Sequence, residues 1–117
     1  MGLLMKYQIF GGNLPAVAID LEQNESIYTQ SGGMSWMTDQ IQMETNARGG
    51  LLKSFGRMFS GESLFMATYT AKAPGQRITI ASTFPGEIRC VEVRPGREMI
   101  CQKDAFLCAQ PNVELSI

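Results

Sequence analysis

Residues 64–80 read Leu-Phe-Met-Ala-Thr-Tyr-Thr-Ala-Lys-Ala-Pro-Gly-Gln-Arg-Ile-Thr-Ile. On one side of Pro74-Gly75, Leu64, Met66 and Thr68 alternate with Phe65, Ala67 and Tyr69; on the other, Ile78 and Ile80 alternate with Arg77 and Thr79. Period-two patterning places alternate side chains on opposite faces of an extended chain. Proline presets φ for the first central position of a turn, and glycine accepts the positive φ that a type II turn needs next. The stretch therefore reads as two strands joined by a reversal.

The same grammar recurs outward in both directions. Gly11-Gly12-Asn13, Gln23-Asn24-Glu25, Ser31-Gly32-Gly33, Phe84-Pro85-Gly86 and Arg94-Pro95-Gly96 punctuate the chain, and between them alternate Val17, Ile19 and Leu21, then Ile88 with Cys90, and Val91 with Val93. Short half-buried strands at hairpin spacing predict an all-β sandwich or barrel. Gly50–Gly61 differs. There Leu51, Leu52, Phe55, Met58 and Phe59 fall on one helical face, with Lys53 and Arg57 on the other, which predicts one short helix or flap near residues 50–61. A shift of 72 residues aligns 16–45 with 88–117 without a gap: Ile19 meets Val91, Asp20 meets Glu92, Leu21 meets Val93 and Ile27 meets Met99. This internal repeat predicts two similar multi-strand units packed together.

The 117 residues, 44% hydrophobic, make one domain, residues 1–117, whose core is feasible without staples; the repeat, cut at Ile117, also fits the front portion of a longer protein. Without histidine the chain can build neither a Ser-His-Asp relay nor a His-ligated metal site. Cys90, Cys101 and Cys108 form no CxxC pair, and their odd number suits a reducing compartment. The apolar amino terminus is broken by Lys6, so a cytoplasmic protein without anchor or signal is expected.

Charge is unevenly distributed: residues 1–47 carry −4, residues 48–77 carry +4 and residues 78–117 carry −1. Opposite blocks on a near-neutral chain suit attraction between identical subunits and argue against nucleic acid, which needs clustered cations. Gly49-Gly50-Leu51-Leu52-Lys53-Ser54 lacks the glycine spacing of a phosphate-binding loop. Carboxylate pairs such as Glu87 with Glu92, or Asp20 with Glu22, sit where solvent-facing acids are ordinary on strands. Trp36, within an alternating stretch, is read as a core or subunit-contact residue.

Gly12-Asn13-Leu14-Pro15, Gly33-Met34, Gly50-Leu51-Leu52, Phe59-Ser60-Gly61-Glu62-Ser63-Leu64-Phe65, Pro85-Gly86 and Asp104-Ala105-Phe106-Leu107 together resemble the "altered inheritance of mitochondria 24" family. The resemblance implies a double-stranded β-helix or sandwich grouped with the tryptophan RNA-binding attenuation protein-like superfamily, and it brings no catalytic residues with it. The expectation is a non-catalytic scaffold or interaction module that forms a homo-oligomer and uses no cofactor or metal. Its candidate surface is Arg48, Leu51, Leu52, Lys53, Phe55, Arg57, Met58 and Phe59, with the sheet edges. The alternative is a binding module for a small ligand, an anionic membrane surface touched peripherally, or RNA, through the same basic-apolar segment 48–61.

Overall fold

The computed structural model describes residues 5–30, 33–45 and 66–115. Strands β1 (Lys6–Phe10), β2 (Ala16–Leu21), β7 (Gln76–Ala81) and β4 (Met34–Met37) form one antiparallel sheet in the order β1-β2-β7-β4. The second sheet is β5 (Ile41–Thr45), β6 (Met66–Ala71), β3 (Ser26–Gln30) and β8 (Cys108–Ala109), in the order β5-β6-β3-β8. Among the described residues the only helical turn is a 3₁₀ turn at Lys103–Ala105. The chain is thus all-β, with two four-stranded antiparallel sheets. The helix or flap expected near residues 50–61 lies outside the described residues.

The sheets face each other across a core fixed by register. Val17 opposes Ile80 and Ile19 opposes Ile78, so one face of the first sheet is aliphatic. Opposite it, Ile27 pairs with Tyr69 and Ile41 with Ala71. These residues and Leu21 make one buried cluster, rimmed by Met34, Met37, Ile88, Leu107 and Cys108. Buried aliphatic side chains of this kind each contribute about 1.5–3 kcal/mol, and their burial is the main force holding the layers together.

Two features depart from what the sequence pattern predicts. The first is connectivity. Pro74-Gly75 does reverse the chain, with Gly75 at φ +74°, but β6 and β7 belong to different sheets. The turns after β2 and β4 likewise pass between layers. Within the described residues, β1–β2 is a true hairpin, across Gly11 at φ +103°, where a Cβ would sit 3.0 Å from the Leu14 carbonyl. The crossings are tied to one another. Asn24 N–H donates to Ala71 O (2.8 Å), Lys72 N–H to Gln40 O (2.8 Å) and Thr38 N–H to Arg77 O (2.9 Å), so these backbone groups are satisfied between arches.

The second is burial. Central strands are covered on both faces rather than one: Ala18 and its neighbour Thr79 are buried on the far side of the first sheet. On the far side of the second, Tyr28 packs against Phe106 (ring centroids 5.8 Å apart) and donates from its hydroxyl to Val113 O at 2.6 Å. Thr29 Oγ1 donates to Leu107 O at 2.5 Å. The carboxy-terminal stretch is strapped over the sheet by these bonds.

Candidate interaction surface

The eight residues singled out from sequence, Arg48 through Phe59, lie outside the described residues, and so does the basic-apolar segment they define. The described surface carries a different apolar feature, built from β1 and residues 84–100.

Strand β1 ends the first sheet, and all five of its residues are exposed. Tyr7 opposes Ile19 and Ile9 opposes Val17, so both extend the core-facing aliphatic row. That row runs beyond its cover: Tyr7 keeps 49% and Ile9 38% of their surface in water, and Phe10 is exposed on the opposite face. The alternation Tyr7-Gln8-Ile9-Phe10 followed by Gly11-Gly12-Asn13 is the strand-and-turn signal by which sequence could have found this edge.

Residues 88–93 are expected from their alternation to pair as strand; they belong to no ladder among the described residues. The reason is that the reversal that follows, at Arg94-Pro95-Gly96-Arg97, closes after a single bridge, with Arg97 N–H donating to Arg94 O at 3.0 Å. Ile88 still reaches the core rim. Val91 and Val93 are 48% and 44% exposed, although the positions aligned with them by the repeat, Ile19 and Leu21, are buried. Phe84, Met99 and Ile100 are exposed in the same stretch. Trp36 is half exposed on β4 at the opposite edge, not in the core.

Polar groups on this surface are locally paired. Glu87–Arg89 (3.0 Å) and Glu92–Arg94 (3.1 Å) each join residues two apart. All four side chains are largely solvated, so the pairs add little stability. On the outer face of the first sheet Arg77 donates to Asp20 at 2.7 and 3.3 Å, a bidentate contact that raises the Arg77 pKa.

The Cys90 thiol raises the pKa of the Tyr7 hydroxyl. Burial first, and the Cys90 thiol second, push Cys108 up to about 12, which keeps it protonated and poorly nucleophilic at neutral pH. Among the described residues no three His, Cys, Asp or Glu side chains are grouped to hold a metal. No helix there is long and apolar enough to cross a membrane.

Comparison with known proteins agrees with the motifs quoted above. A family profile described as mitochondrial biogenesis AIM24 matches residues 7–117. An uncharacterised protein of Streptococcus pyogenes serotype M6 is 35% identical over 86 residues, 68% of this chain and 34% of that protein. The crystal structure of another Streptococcus pyogenes protein superposes with a TM-score of 0.66 at 29% identity, over 92% of this chain and 51% of that one. The chain therefore spans about half of the solved relative and a third of the curated one. By its matched length, its motifs and its fold, the chain belongs to the AIM24 family.

Proposed function

We propose that this protein is a non-catalytic interaction module that self-associates. The observation that carries the reading is the row of apolar side chains left in water along one sheet edge, Tyr7, Ile9 and Phe10, next to a second exposed apolar run at Val91 and Val93. An edge strand offers unpaired N–H and C=O groups to another chain, and natural proteins usually blunt such edges. Here Lys6 is the one charge on the strand, while its other side chains are apolar or neutral. The absence of histidine from the whole sequence supports a binding role over proton-transfer chemistry. Three cysteines outside any disulfide support a reducing compartment such as the cytoplasm.

Sedimentation equilibrium tests the reading. An assembly larger than the 12.9 kDa chain is expected, and a strict monomer at concentrations on the order of tens of micromolar, where ordinary homodimers are populated, would overturn it.

A further inference from the structure

The internal repeat and the register of β1 together specify how two copies can meet. In the hairpin, Lys6 opposes Asp20, Tyr7 opposes Ile19 and Phe10 opposes Ala16. The 72-residue shift carries these partners to Glu92, Val91 and Ile88. Residues 88–92 thus repeat part of the pattern of the strand that β1 already pairs with, Val91 and Glu92 standing for Ile19 and Asp20, and they lie outside any ladder among the described residues. The other side of β1 has no ladder partner among those residues either.

We infer that a second copy of this chain docks at this surface, its residues 88–92 adding as an antiparallel strand to the edge of β1 with Lys6 opposite Glu92, Tyr7 opposite Val91 and Phe10 opposite Ile88. The inference rests on the self-association proposed above and names the strands that carry it. Charge selects the register. In the repeat's own register the single cation of β1 meets an acid, whereas sliding by two residues sets Lys6 against Arg94, a like-charge pair that is destabilising when directly opposed. Ile9 then faces Arg89, whose methylene stem can cover it while the guanidinium stays solvated. Tyr7 and Val91 form an aromatic–β-branched pair of the kind that stabilises sheets.

The contact is also reciprocal. Each copy carries both the edge and the strip, and Met5, which precedes β1, packs with Ile88 against the same core cluster. A two-fold axis then builds two equivalent ladders at once and closes the assembly at the dimer.

The test is sedimentation equilibrium on the full chain, with thermal unfolding as a fold control. Cys90→Pro and Val91→Pro, made one at a time, remove the ladder donor from whichever of these two adjacent residues points toward β1, at positions that take part in no pairing among the described residues, so the fold is retained; one of the two is expected to weaken the dimer by roughly tenfold or more. Lys6→Glu and Glu92→Lys are each expected to weaken it by about three- to tenfold, since two exposed ion pairs per dimer are lost, and the double charge swap to restore it to within about twofold. A wild-type monomer throughout would overturn both this inference and the self-association it rests on. A dimer indifferent to both proline variants, or charge variants that the swap fails to rescue, would overturn the strand pairing alone. Open-ended oligomers would overturn the two-fold closure.

Discussion

Replacing Ile78 and Ile9 by alanine, one at a time, measures where the covered core ends. Both side chains project from the same face of the first sheet, Ile78 opposite Ile19 and Ile9 opposite Val17. Ile78 is fully buried, while Ile9 keeps 38% of its surface in water. Each substitution removes three methyl or methylene groups, about 0.8 kcal/mol apiece when buried, or about 2.4 kcal/mol. At Ile78 the enclosed space left behind adds about 1 kcal/mol, for a total near ~3.5 kcal/mol. At Ile9 the transfer is incomplete and the edge can relax, so about 1.5 kcal/mol is expected. For a chain of this length the unfolding entropy is about 0.25 kcal/mol/K, which converts these values to Tm losses of about 14 °C and about 6 °C. Differential scanning calorimetry at dilute protein, where monomer dominates, reads the difference directly. Equal losses at the two positions would refute the placement of β1 beyond the covered core. On the proposed docking of a second copy, raising the concentration should increase the Ile9 penalty alone.

Thr79→Val replaces a buried hydroxyl that has no hydrogen-bond partner among the described residues with a methyl of the same shape, and should raise stability by about 1 kcal/mol in denaturant titration. Tyr28→Phe removes the 2.6 Å bond to Val113 O; a loss of about 1 kcal/mol is expected, with faster amide exchange across residues 106–113 as the strap loosens. The raised Cys108 pKa makes stability fall with alkaline pH: the folded state holds its thiol proton up to about 12, while the unfolded chain releases it in the ordinary thiol range, so the stabilisation is complete below that range and is lost as pH rises toward the folded value. The decline between about pH 8.5 and about 10.5 should flatten in Cys108→Ala, and equal slopes in the two proteins would remove the assignment.

The sequence carries the identity of the core strands more openly than their partners. Val17, Ile19 and Leu21, and Ile78 and Ile80, alternate in the chain and are buried together on one face. Period two states which face a residue occupies but is silent about the neighbouring strand, so the reversal at Pro74-Gly75 looks the same whether it closes a hairpin or crosses between layers. Burial on both faces was hidden for a related reason. Ala18 and Thr79 are small enough to be read as solvent-facing, and Tyr28 is covered by Phe106 and Val113, which lie far along the chain. Val91 and Val93 carry the strand pattern without a strand, because patterning prepares a segment for pairing and only an adjacent edge provides it. The edge surface was legible in Tyr7-Gln8-Ile9-Phe10, but its exposure depends on β1 being outermost, a property of topology rather than of those four residues.

The crossings between layers also set a timetable for synthesis. Strand β2 is complete at Leu21, yet its inner partner β7 begins at Gln76, so Val17 waits for Ile80 to leave the ribosome. At roughly 5–20 residues per second that interval lasts several seconds, and such distant pairings are slow to close even afterwards. Throughout it the nascent hairpin of β1 and β2 has its aliphatic face uncovered, which makes the early polypeptide, rather than the finished fold, the species most in need of a chaperone.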